Sequence, residues 1–153
     1  MTQLTSVGTL IKLSAGSPAT HDAAGFAALT FTTLGEGTAS QEIGRKYNTA
    51  KHVPLATGAT HKIKTSFDAG AITIKGACDT DDAGQILAKT ALGSSANYAF
   101  QIHYPNGDKT YFLGLVTAFD TGANDASGIR SFTMTVEVNP STAGADFVES
   151  LAP

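Results

Sequence analysis

A lone cysteine, Cys78, leaves the chain with no intrachain disulfide and no cysteine-based metal motif, so its 153 residues hold together without covalent cross-links. That length is enough for one core. Charge is scarce too, at 15% of residues where an average soluble protein has about 25%, less than a surface given wholly to water carries. The net charge of −3 argues against a protein that grips nucleic acid, because such binding rests on clustered Lys and Arg neutralising phosphates. Tryptophan is absent, and most Tyr and Phe fall at core-like positions, which thins the case for an aromatic ligand platform. No stretch reaches the length of a membrane span, and Met1-Thr2-Gln3-Leu4-Thr5 has neither the basic nor the apolar region of a signal peptide. No membrane anchor is expected.

Catalytic and metal chemistry lack motifs as well. The histidines His21, His52, His61 and His103 are scattered, with no pair at metal-ligand spacing. Asp79, Asp81 and Asp82 resemble the start of a calcium loop, but the twelfth position holds Thr90 in place of the required Glu. Helix capping explains these acids better, since an amphipathic stretch follows. Gly35-Glu36-Gly37 is not followed by the Gly-Lys-Thr/Ser end of a phosphate loop. The expectation is a non-enzyme with no cofactor and no metal.

What is present is strand. Large apolar residues occupy every second position of Tyr98-Ala99-Phe100-Gln101-Ile102-His103-Tyr104, which places them on one pleated face. Pro105-Asn106-Gly107 then suits a hairpin turn, Pro105 presetting its backbone angle and Gly107 supplying a left-handed residue. The return strand, Lys109 to Phe119, is continuously apolar in its middle, as expected of a strand covered on both faces. Gly114 within it marks a bulge or a close approach by another chain. Ser131 to Val138 alternates, with Phe132, Met134, Val136 and Val138 on the core side. Faces opposite the core hold Thr73, Ala99, Gln101, Thr133 and Thr135, with few charges.

The hairpin around Tyr104-Pro105-Asn106-Gly107, the aromatic strand after it, a glycine-containing break at Asp120 to Gly128 and a last strand ending Val136-Glu137-Val138-Asn139 together resemble the C-terminal half of the major tail tube proteins of long-tailed bacteriophages. The resemblance implies a structural subunit that forms closed, hexameric rings stacked into a hollow tube. DNA would pass through the lumen without specific binding. It also implies partners: further copies of the chain, a tape-measure protein, a baseplate or tip complex, and a tail terminator. The place would be the virion tail, after synthesis and assembly in the host cytoplasm. A contractile-tail or type VI secretion tube shares the fold. The alternative from another class is a monomeric β-sandwich binding module for carbohydrate or a protein ligand.

The rest of the chain is read in order as a single domain, 1–153. Val7 to Leu13 is a first strand, Thr20 to Gly25 a loop, Phe26 to Thr32 a second strand, and Leu34 to Thr38 a break. Residues 39–60 are poor in large apolar residues and carry Arg45, Lys46 and Lys51 against Glu42, a long connection of the kind that is either functional or disordered. The resemblance makes this extended loop, and no single residue within it, the contact between rings; Arg45, Lys46, Tyr47 and Lys51 are the candidate contact residues. His61 to Phe67 and Ala71 to Ala77 are expected to form a hairpin, with Ile63 and Ile72 or Ile74 inward. Asp79 is expected to cap one helix, running to Leu92 and stopping at Gly93, whose inner face holds Ala83, Ile86, Leu87 and Thr90. The core is therefore assigned to Phe100, Ile102, Phe132, Met134, Val136, Ile86 and Leu87. After Pro140 a mobile tail, 141–153, is expected. The predicted class is mainly β: an antiparallel β-sandwich or partly open barrel with one flanking helix.

Overall fold

The computed structural model describes residues 3–123, 126–141 and 143–153. The start of the polar N-terminus, part of the expected break before the last strand, and Thr142 of the tail lie outside the described residues. One antiparallel sheet dominates, built from β1 (Leu10–Ser14), β2 (Thr32–Thr33), β3 (Gly37–Ser40), β6 (Ala71–Ala77), β7 (Tyr98–His103), β8 (Lys109–Gly122), β9 (Ser131–Asn139) and β10 (Phe147–Ser150). The strands β4 (Lys46–His52) and β5 (His61–Asp68) form a separate two-stranded ribbon. The main sheet runs β2-β1-β7-β8-β9-β6-β3, with β10 also paired to β8. Leu13 of β1, near one end of this order, and Ile72 and Ile74 of β6, near the other, belong to the same buried cluster, so the sheet curls around one core.

The predicted hairpin is its spine. Tyr98 lies opposite Gly114, Phe100 opposite Phe112 and Ile102 opposite Thr110. The amide of Gly107 donates to the Tyr104 carbonyl at 3.0 Å, and Gly107 sits at φ 95°. Phe100 and Phe112 stack with centroids 5.2 Å apart, as do Phe119 and Phe132. Phe100, Ile102, Phe132, Met134 and Val136 are all buried, and each such side chain withdrawn from water contributes about 1.5–3 kcal/mol. The β8 strand is covered on both faces: Phe112 and Val116 enter the main core, while Tyr111 joins Phe26 and Ala99 in a second cluster on the other side. A Cβ at Gly114 would lie 2.6 Å from Val136 Cγ1 and 2.9 Å from the Glu137 carbonyl, so the close approach is made by β9 of the same chain. The bulge comes later, between Val116 and Ala118.

Several expectations are corrected. Phe26 lies on a short helix, α1 (Ala23–Ala27), and not on a strand: Asp22 caps it, Oδ1 accepting from the Gly25 amide at 2.7 Å, and the following strand shrinks to Thr32–Thr33. The segment His61–Asp68 pairs with β4, while Ala71–Ala77 pairs with β9 and β3, so Asp68-Ala69-Gly70 is a corner between sheets and not a hairpin turn. Ile63 is consequently 62% exposed, whereas Ile72 and Ile74 are buried. The tail carries β10, which pairs along Lys109–Phe112 of β8. Two helices, not one, are found among the described residues.

The second helix, α2 (Ala83–Leu92), begins three residues later than its first acid suggests. Asp79 Oδ1 accepts from the Asp81 amide in a lead-in turn, and Asp82 is the cap, accepting from the Gln85 amide at 2.9 Å and the Gly35 amide at 3.1 Å. Its buried face is Gly84, Gln85, Ala88 and Ala91; Ile86, assigned to the core from sequence, is 50% exposed, and Leu87 is only partly buried. Bulk misled the reading, because α2 docks closely through small residues. A Cβ at Gly84 would lie 2.2 Å from the Thr33 carbonyl oxygen.

Candidate assembly surface

The β4–β5 ribbon projects as an arm whose strand residues are exposed, Phe67 alone being half-buried. Its bases form the pattern that matters. Five of the chain's ten Lys and Arg (Arg45, Lys46, Lys51, Lys62, Lys64) and none of its thirteen acids lie between residues 43 and 67. The body is left with five bases against thirteen acids. Lys51 and Lys62 are directly opposite one another across the ribbon, an unfavourable placement of like charges. Val53, Leu55 and Ile63 are exposed on the same arm.

Arg45 does not join this free basic surface. Its Nε donates to Asp146 Oδ2 at 2.8 Å, and Nη2 donates to Asp146 Oδ1 and to the Gly144 carbonyl, both at 2.9 Å. Its Nη1 donates to the Tyr47 hydroxyl at 3.0 Å, and the guanidinium carbon stands 4.0 Å from the Phe67 ring centroid. Arg45 thus clamps the root of the arm to the segment before β10. This hydrogen bonding from Arg45 holds the Asp146 carboxyl below its ordinary range, against the opposing effect of burial. Of the four residues expected at a contact, Arg45 and Tyr47 meet at the root, while Lys46 and Lys51 remain exposed on β4. Lys62, Lys64 and Asp146 were missed. The acid-free run from 43 to 67 was the available signal for the two lysines.

A second surface is the face of β6, β9 and β8 turned away from the core. Thr73, Thr135 and Ala118 form one row across it, Lys75, Thr133 and Asp120 another, and Ala71, Glu137 and Leu115 a third. Neither helix covers it: α2 enters the core cluster through Ala88 and Ala91, and α1 belongs to the cluster around Phe26 and Tyr111. Ala99 and Gln101, expected on a sparsely charged open face, are instead buried. A third surface is a groove of about 640 Å³ beside β1, the residues following β2, and β3.

Among the described residues, no group of three or more His, Cys, Asp and Glu is placed to hold a metal ion. His21 and His103 each keep one buried ring nitrogen, Nε2 and Nδ1 respectively, without a hydrogen-bond partner. Burial lowers both pKa values; at His103 the nearby Lys109 and Lys12 act in the same direction, while at His21 Asp146 and Asp22 oppose it. Among the described residues no helix is long and apolar enough to cross a membrane.

No protein-family model matches the chain, and no curated protein matches it. Solved structures do. A chain in the tail of an empty gene transfer agent particle, solved with C6 symmetry, is similar over 94% of this chain and 95% of its own, at TM-score 0.64 and 17% identity. The SPP1 tail tube is similar over 94% of this chain and 77% of its own, at TM-score 0.62 and 10% identity. This chain has the tail-tube fold. The same fold extends to an extracellular contractile injection system: its PVC sheath/tube terminator structure contains a chain similar over 99% of both chains, at TM-score 0.69 and 9% identity. These likenesses span 94–99% of this chain, so the shared fold runs through the domain end to end.

Proposed function

We propose that this protein is the tube subunit of a phage-like tail. Copies associate side by side into rings, hexameric by resemblance, and the rings stack into a hollow tube that delivers DNA. The observation that carries the reading is the end-to-end match to tail and tube chains of both phage-like particles and a contractile injection system. Two features of the chain itself support it. The arm leaves Val53, Leu55 and Ile63 exposed, and the face of β6, β9 and β8 with its row of threonines suits a channel wall past which DNA slides without sticking. In this reading Lys46, Tyr47 and Lys51 make contact between rings, while Arg45 fixes the arm's root. The partners are other copies, a tape-measure protein inside the growing tube, a baseplate or tip complex, and a terminator. The protein is non-enzymatic, made in the host cytoplasm and housed in the virion tail. Sedimentation velocity over a wide concentration range tests the proposal: ring-sized and larger species are expected to grow with concentration, and a single monomer boundary throughout would refute it.

A further inference from the structure

The sheet order ends at β2 and β3, which do not pair with each other; α2 packs against β2 at Gly84, while the outer edge of β3 takes no strand among the described residues. The groove of about 640 Å³ is lined by the β3 residues Gly37–Ser40, by Thr33 and Leu34, and by residues of β1. Leu10, Leu34, Ile102 and Tyr104 give it an apolar lining, and its two charged residues, Glu36 and Glu42, are both acids. All four residues of β3 are exposed. An open strand edge beside an apolar cleft is a template for an added strand from another chain. The arm has the complementary features. Its acid-free run, 43–67, stops short of Asp68 at the root, it sets Lys51 against Lys62 with no ion-pair partner among the described residues, and it exposes Val53 and Leu55 at the connection between its strands.

We propose that the groove between β2 and β3 receives the arm of a second copy, with Lys51 and Lys62 facing Glu36 and Glu42, and Val53 and Leu55 entering the apolar lining. The proposal rests on the reading that copies stack, and it names the surface on which they do so. Charge decides the occupant: two glutamates repel a phosphate backbone, and they relieve the lysine pair that faces itself across the ribbon. An acid-rich body and an arm that is basic from 43 to 67 make each copy both donor and acceptor. Such a head-to-tail contact propagates.

Two single-cysteine chains test this, both in a Cys78→Ala background: one carries Leu55→Cys at the arm tip, the other Ser40→Cys in the groove. They are mixed, oxidised and run on a non-reducing gel, and the same mixture is viewed by electron microscopy. The expected result is a heterodimer in excess of both homodimers, lost when the arm chain also carries Lys51→Glu and Lys62→Glu. A heterodimer no more abundant than the homodimers, or one untouched by the charge reversal, would overturn the proposal. Tubes without an excess of heterodimer refute this groove and leave the tube reading standing. Heterodimers without tubes support the docking and refute the tube reading.

Discussion

Replacing Gln85 with leucine isolates one polar knot on which both the helix and the groove depend. Gln85 is fully buried on α2. Its Nε2 donates to the Ala77 carbonyl at 3.0 Å and the Gly35 carbonyl at 3.3 Å, and its Oε1 accepts from the Asp79 amide at 3.0 Å. The side chain thereby ties α2 to the end of β6 and to the chain just before β3. Leucine keeps the bulk but leaves all three backbone groups without that partner. At about 1 kcal/mol net for each bond, the loss is about 3 kcal/mol, a large share of the roughly 5–15 kcal/mol that holds a domain folded. Urea denaturation reads it directly. With a slope of about 2 kcal/mol/M, the midpoint falls by about 1.5 M while the slope stays unchanged. Gln85→Glu, which turns a double donor into buried acceptors, is expected to be worse still. A shift in Gln85→Leu below about 0.3 M at constant slope would show that these bonds do not hold the helix, and the reasoning would fail.

Three further outcomes are expected. Phe132→Ala removes a buried ring stacked on Phe119 and lowers stability by about 3–5 kcal/mol, measurable by the same denaturation. Arg45→Ala frees the arm's root and the segment before β10, so hydrogen exchange at residues 143–150 speeds up while the amides of β7 stay protected; equal protection in variant and parent would contradict the clamp. Stability against pH should fall in two stages. His21 and His103 have depressed pKa values in the fold, so the stability linked to their neutral forms is complete above about 6.5 and is lost as pH drops through their folded values. Asp22, Asp108 and Asp146, also depressed, contribute above about 4 and lose their contribution at lower pH. A His21→Phe, His103→Gln double variant flattens the first stage and leaves the second.

How legible each part was in the sequence follows from where its side chains go. The strands β7, β8 and β9 declared themselves because their alternation or continuous apolarity is dictated by burial within the same chain. Residues 46–52 did not, because neither face of that ribbon is buried, and a strand exposed on both sides leaves no period of two; residues 61–67 were read as a strand but given β6 as partner in place of β4. Ile63 therefore read as core when it is an exposed residue on an arm. The face of α2 was misassigned since its contact is built from Gly84, Ala88 and Ala91, which a search for bulky apolar residues passes over. Phe26 carried the right burial on the wrong element: five helical residues held by the Asp22 cap are too few to show a helical period. Arg45 was picked out as a basic contact residue, but its partner lies about a hundred positions away at Asp146, and nothing local in the sequence joins the two.

The central claim is that this fold assembles into tubes, and negative-stain electron microscopy of the purified protein over a range of concentrations tests it most directly. Rings at low concentration and long hollow tubes at high concentration are the predicted result. Isolated globular particles at every concentration, at both low and high salt, would contradict it.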